Sequence, residues 1–218
     1  MKISINKAHF PVTVLGPGRR VGIWLQGCSI GCKGCVSQDT WSVDPGRDMG
    51  VAQLLSWCRQ TTGCKLDGIT ITGGEPFDQP PALAALLTAL VQWRSHDKLD
   101  FDILCYSGYA LANLQRKHSG LLQQIDALIP EPFVQARPLT HVWRGSSNQP
   151  LVLLSERGRQ RYANHVDALA QASDKRMQTM VDGNRVWYVG VPARGDMAAL
   201  QAACEGRGLA FSEVSWRP

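Results

Sequence analysis

Residues 16–35, GPGRRVGIWLQGCSIGCKGC, decide how the rest is read. The stretch turns at Gly16-Pro17-Gly18 and enters an apolar run over 21–26 (VGIWLQ). That run is bounded by glycines and is predicted as a buried strand. A loop then carries Cys28, Cys32 and Cys35 in a C-x3-C-x2-C spacing. Glycines at 27, 31 and 34 relax the backbone, so three soft thiolates can converge. The informative feature is the lack of a fourth ligand beside them. Structural zinc sites close with four ligands, and ferredoxin clusters take four cysteines. An open triplet leaves one metal position for another molecule. His9 or a remote cysteine is the alternative fourth ligand. A zinc knot, or three unrelated cysteines, is the plainer alternative.

Strands and helices alternate downstream. Residues 69–72 form a short strand that ends in Gly73-Gly74-Glu75-Pro76. Asp78 and the prolines at 80 and 81 open a helix with the apolar stripe Leu83, Leu86, Leu87, Leu90 and Val91. Before it, Val51, Leu54, Leu55 and Cys58 at helical spacing predict a helix capped by Asp48. Residues 101–106 (FDILCY) are a strand followed by Ser107-Gly108 and a weaker helix with Leu111 and Leu114. Residues 12–15, 127–129 and 142–143 also read as strands. This alternation implies an α/β chain with a parallel sheet. The loops after its strands gather on one edge, where such sheets bind ligands. Glycines at 73 and 74 let backbone approach a ligand closely, and Glu75 can accept from an ammonium group. Ser107 suits a ribose or carboxylate, and Arg144 in RGSSNQ suits a carboxylate or a protein partner. Ordinary turns and a surface arginine are the plainer readings of these positions.

The pattern changes near residue 155. Tyr162, Val166 and Leu169 suggest a helix. Residues 177–181 and 185–191 flank Asp182-Gly183-Asn184 as a hairpin. Met197, Leu200 and Ala203 suggest a last helix ending near Gly206 or Gly208. The expected division is 1–154 as the main domain and 155–218 as a small ββα C-terminal extension.

Composition excludes several classes. With 44% hydrophobic and 19% charged residues, the chain has enough apolar content to fold. Its longest apolar stretch is broken by Thr88 and Gln92, short of a membrane span. The N-terminal residues lack the apolar core of a secretory signal, so a cytoplasmic protein is expected. A net charge of +5 is too slight to argue for nucleic acid. The run Arg157, Arg159 and Arg161 reads as a solvated face. Seven cysteines, an odd number, do not suggest a disulfide framework. Cys58, Cys64, Cys105 and Cys204 read as small packed residues. Trp24 and Trp41 flank the triplet and read as core.

CSIGCKGC resembles the cluster motif of the radical S-adenosylmethionine superfamily, and GGEP after a strand resembles its methionine-binding turn. More narrowly, four segments resemble the activating proteins of anaerobic (class III) ribonucleotide reductase. They are GPGRRVGIWLQGCSIGCKGC, TGGEPFDQP, CYSGYALANL, and IDALIPEPFV through WRGSSNQ, in that order. The resemblance implies a partial (β/α) barrel of radical SAM type and a [4Fe-4S] cluster on Cys28, Cys32 and Cys35. It implies S-adenosylmethionine on the unique iron, near Gly73, Gly74, Glu75 and Pro76, with Ser107 and Arg144 as further contacts. In that family an electron from the cluster cleaves the sulfonium, and the 5′-deoxyadenosyl radical takes hydrogen from a glycine of a glycyl-radical enzyme. An electron donor such as flavodoxin is implied as a second partner. Family members usually end soon after RGSSNQ, so the extension raises a second reading: a radical enzyme acting on a peptide, a protein side chain or a metabolite. A non-catalytic metal knot that mediates protein contacts is the third.

Overall fold

The computed structural model of the chain describes residues 1–216 except Cys64 and Asn184. The expected packing of Cys64 and the Asn184 corner of the hairpin therefore lie outside the described residues. Among those described, the main sheet orders its strands β3-β1-β2-β4-β5-β6-β7. They are β1 (Lys2–Val12), β2 (Arg20–Leu25), β3 (Asp48–Gly50), β4 (Gly68–Gly73), β5 (Asp102–Tyr106), β6 (Ala127–Ile129) and β7 (Val152–Leu153). The helices that connect or flank them are α1 (Val51–Thr62), α2 (Pro80–His96), α3 (Leu111–Leu122) and α4 (Glu156–Tyr162). β2, β4, β5 and β6 are parallel, while β1, β3 and β7 pair antiparallel at the two sides. The chain is thus α/β around a parallel centre.

The centre reads as continuous apolar sequence because it is covered on both faces. All six residues of β2 are buried. On one face α2 lays down Leu83, Leu86, Leu87, Leu90 and Trp93, all buried, against Ile23, Ile69, Ile71 and Ile103. Each fully buried leucine contributes roughly 1.5–3 kcal/mol relative to exposure. On the other face a smaller cluster joins Leu104, Ala127, Ile129, Leu151 and Tyr162.

Several local expectations are corrected. The first strand is β1 (Lys2–Val12), not 12–15; Val14 and Leu15 are buried in the following loop. Register shifts between Ile5 and Lys7 and between His9 and Val12 break its alternation, which hides the strand in the sequence. Asp48 is not the cap of α1. It pairs with Ser4 in β3, Gly50 takes the cap position, and the N–H of Val51 is satisfied by the Met1 carbonyl. Residues 142–143 are not a strand: Trp143 has φ +61°, and the strand beside β6 is β7. The helix expected through Leu169 ends as α4, followed by a 3-10 turn over Ala163–His165.

Packing against the sheet continues beyond residue 154. Buried Tyr162 donates to Asp102 at the start of β5, and Ser155 Oγ donates to Asp126 Oδ1. The arginines of α4 are not simply a solvated face either. Arg161 pairs with Asp100 at 3.0 Å and reaches the Asp67 carbonyl at 2.7 Å. Farther on, β8 (Met177–Asp182) and β9 (Arg185–Gly190) make a separate antiparallel pair, followed by α5 (Asp196–Glu205). Val189 packs with Val12, Val14, Leu15 and Trp24, so the hairpin is seated on the first strands. Among the described residues no helix is long and apolar enough to cross a membrane.

Candidate functional site

Three strands of the parallel centre deliver their carboxyl ends to one place. β2 runs into Gly27 and Cys28, β4 into Gly73-Gly74-Glu75, and β5 into Ser107-Gly108. Backbone bonds join the first two: Gly74 N–H donates to the Leu25 carbonyl at 2.9 Å, and Glu75 N–H to the Gly27 carbonyl at 2.8 Å. Glycine is required at 74 because a Cβ there would sit 2.1 Å from the Gly27 oxygen.

The Glu75 side chain ties in the third strand. Its Oε1 accepts from Phe77 N–H at 3.0 Å and from the Ser107 hydroxyl at 2.9 Å. Its Oε2 accepts from Gly108 N–H at 2.7 Å. Glu75 is 1% exposed, and burial pushes its carboxyl up to about 7 despite the three donors. A carboxylate offers about four acceptor positions, and these donors take three of them. Ser107 Oγ also accepts from Tyr109 N–H at 3.1 Å, so this hydroxyl holds the turn together. Pro76 starts the 3-10 turn Pro76–Asp78 that Glu75 caps.

Asp78, Tyr109 and Ser29 complete the assembly; sequence reading took Asp78 only as a helix start and passed over the other two. Asp78 accepts from Ser29 N–H at 2.7 Å, from the Ser29 hydroxyl at 3.0 Å and from the Tyr109 hydroxyl at 2.6 Å. The signal was available: the side chains lie one residue from Cys28, three from Glu75 and two from Ser107.

The cysteine loop presents three half-buried free thiols. Burial pushes all three up, while N–H groups pull the other way: Gly31 and Ile30 on Cys28, Phe133 on Cys32, and Ser37 with the Trp41 side chain on Cys35. Ionised Cys28 and Cys35 further oppose ionisation of Cys32, so the sulfurs share one field. Such donors suit sulfurs that carry negative charge on a metal centre. Among the described residues no three His, Cys, Asp or Glu side chains converge on a single ion.

The alternative fourth ligand, His9, lies away from the triplet. His9 sits mid-strand with its ring 6.2 Å from that of Trp187. Trp24 is core, whereas Trp41 reaches Cys35. Arg144 is 4% exposed, and its guanidinium donates to the carbonyls of His165 and Val166. It is thus no surface arginine, and its Nε has no partner among the described residues. Beside the loop a groove of about 370 Å³ opens, lined by Lys33, Phe133, Val134, Gln135, Ala136 and Arg194.

Residues 14–152 match the family described as a 4Fe-4S single cluster domain. The chain is 36% identical over 150 residues to the anaerobic ribonucleoside-triphosphate reductase-activating protein of Vibrio cholerae serotype O1, a match covering 65% of this chain and 92% of that one. The chain belongs to this family of activating proteins. The Haemophilus influenzae member is 35% identical over 147 residues, with 65% and 92% of the two chains covered. The Escherichia coli K12 member is 32% identical over 146 residues, with 65% and 93% covered. Family members are thus matched almost end to end, while residues after 152 lie outside the family match. Among solved structures, QueE from Escherichia coli aligns with a TM-score of 0.38 at 21% identity, over 50% of this chain and 53% of that one, too loose a likeness to bear on the fold.

Proposed function

We propose that this chain is a radical S-adenosylmethionine enzyme that activates a glycyl-radical partner, an anaerobic ribonucleotide reductase. The observation that carries the reading is the junction of the three-cysteine loop with the GGEP turn, through Glu75 N–H and the Gly27 carbonyl, in a member of the reductase-activating family. Cys28, Cys32 and Cys35 hold a [4Fe-4S] cluster. With S-adenosylmethionine bound and a reductant supplying one electron, the cluster would provide radical chemistry able to take hydrogen from a glycine. The chain's own residues position these groups. Gly73 and Gly74 let backbone lie against the methionine end, Pro76 stiffens that turn, and Glu75 accepts from the ammonium group. Ser107 acts through Glu75. Arg144 offers its unpartnered Nε to a carboxylate. The sheet is read as a partial (β/α) barrel of radical SAM type, with residues 155–218 as a ββα extension. A reductant such as flavodoxin, and a cytoplasmic setting, complete the proposal.

The test is anaerobic reconstitution with iron and sulfide, S-adenosylmethionine, a reductant and a competent reductase. A glycyl radical in the electron paramagnetic resonance spectrum is expected, and its absence overturns the activase role. The span after residue 152, outside the family match, favours a second reading, a radical enzyme acting on a peptide or metabolite. Under that reading 5′-deoxyadenosine forms while the reductase stays silent.

A further inference from the structure

We infer that the C-terminal segment is a strap that positions the cluster loop, with Ser215 and Trp216 as positioning residues for Cys35. The inference rests on the proposed cluster and adds a role for residues outside the family match. The strap is anchored at both ends. At one end Gln178 accepts from the Thr13 N–H at 3.0 Å and donates to the Pro11 carbonyl at 2.7 Å, while Val189 packs among Val12, Val14, Leu15 and Trp24. The rings of Tyr188, Phe211 and Trp216 then meet edge to face, with centroids 6.2 to 6.4 Å apart.

At the other end the chain closes on the residues just after Cys35. The Ser215 carbonyl accepts from Gln38 N–H at 2.7 Å and from Asp39 N–H at 3.4 Å, and the Ser215 hydroxyl donates to the Val36 carbonyl at 3.0 Å. Gln38 Nε2 bridges the Trp216 carbonyl and the Cys35 carbonyl, at 3.1 Å each. Residues 36–39 are thereby fixed in the turn that aims Ser37 N–H at Cys35 Sγ, 3.4 Å away. Hydrogen bonds to ligand sulfur set the potential of an iron–sulfur cluster, and each one lost makes the cluster harder to reduce. The strap thus acts on the cluster through the backbone beyond Cys35, without touching a sulfur itself.

The experiment compares the full-length chain with Trp216→Ala, Trp216→Phe and Gln38→Ala, each reconstituted anaerobically. Three quantities are read: iron loss to a chelator, the midpoint potential of the cluster, and hydrogen exchange over 36–40 and β5. Gln38→Ala, which loses the amide bonds to the Trp216 and Cys35 carbonyls, is expected to lose iron on the order of 5-fold faster, and Trp216→Ala, which removes the ring packed on Tyr188 and Phe211, changes in the same direction. Their potentials move negative and exchange rises over 36–40, while β5 keeps its protection; Trp216→Phe restores wild-type values. If Trp216→Ala also exposes β5, Gln38→Ala, which removes the side-chain amide that holds the Trp216 and Cys35 carbonyls, decides. Wild-type iron retention and potential in Gln38→Ala, and in a folded Trp216→Ala, overturn the strap. A wild-type chain that takes up no iron overturns the cluster itself.

Discussion

Asp78 receives both the backbone N–H and the hydroxyl of Ser29, at 2.7 and 3.0 Å, and so ties the cysteine loop to the turn after GGEP. The two residues are 49 apart in sequence, and their contact fixes how Cys28 is presented to the strand ends. Hydrogen bonds to a charged acceptor are worth ~1.5–3 kcal/mol, about twice neutral ones. Asp78→Ala is therefore expected to lower cluster retention by on the order of 10-fold, with Asp78→Asn in between. Iron per chain after reconstitution measures this, and wild-type iron in Asp78→Ala would contradict the role.

The loops after β2 and β4 also meet through glycine. A methyl group on Gly74 would stand 2.1 Å from the Gly27 carbonyl oxygen, in a place where only backbone can yield. Gly74→Ala is expected to cost ~1–3 kcal/mol and to disturb the Glu75 N–H bond to Gly27. Gly31 offers the contrast. It has φ +61° but nothing within 4 Å of an added Cβ, so Gly31→Ala carries only the left-handed penalty of about 1–2 kcal/mol. Denaturant unfolding of the two variants checks the stability terms. Reconstitution should fail further for Gly74→Ala than for Gly31→Ala; the reverse order would mean the close approach at 74 is not needed.

How much of this was legible follows from where each signal sits. The strands of the parallel centre and α2 were readable because burial on both faces writes unbroken apolar runs and a leucine stripe into the sequence. β1 was not, because two register shifts scramble its alternation. β3 and β7 are too short to carry a pattern, and the one is held by Ser4 and its neighbours, the other by Ala127 and Leu128. At the site, the cysteine spacing and the GGEP turn pointed to chemistry on their own. The roles of Ser107 and Arg144 did not, since a serine in a turn and an arginine in a loop look alike whether they face a ligand or carry backbone. Only the three-dimensional contacts show Ser107 bound to Glu75 and Arg144 bound to the carbonyls of 165 and 166.

Glu75 gives a pH test. Its carboxyl rises from an ordinary 4.5 to about 7 in the folded chain, because burial penalises the charged form. The folded state then binds this proton more tightly than the unfolded one. The resulting stability is fully present below pH 4.5 and is lost as pH rises through 7. Its size is on the order of 3 kcal/mol. Glu75→Gln cannot titrate, so the stability of wild type relative to this variant should fall by that amount between pH 4.5 and 8. Urea unfolding of the cluster-free chains across that range measures it. A flat difference would mean that the buried carboxyl stays ionised.

The last prediction concerns the opposite end of the strands. Arg20, at the start of β2, grips Asp102, at the start of β5, with bonds of 2.6 and 3.1 Å. Both side chains are fully buried. Thr70 accepts from the Arg20 Nε at 2.7 Å, and Tyr162 of α4 donates to Asp102. A buried pair of this kind is costly to break, because the abandoned charge has no water to turn to; the loss is ~3–5 kcal/mol. Asp102→Asn is expected to fall in that range. Tyr162→Phe removes one hydrogen bond while leaving the pair intact, and should cost about 1–3 kcal/mol. The ion pair stands at the amino ends of the strands, whereas the cysteines and GGEP stand at the carboxyl ends. Folded Tyr162→Phe should therefore bind iron and form 5′-deoxyadenosine at wild-type rates. A stability loss without a loss of turnover fits this division of the sheet, and an inactive but fully stable Tyr162→Phe would refute it.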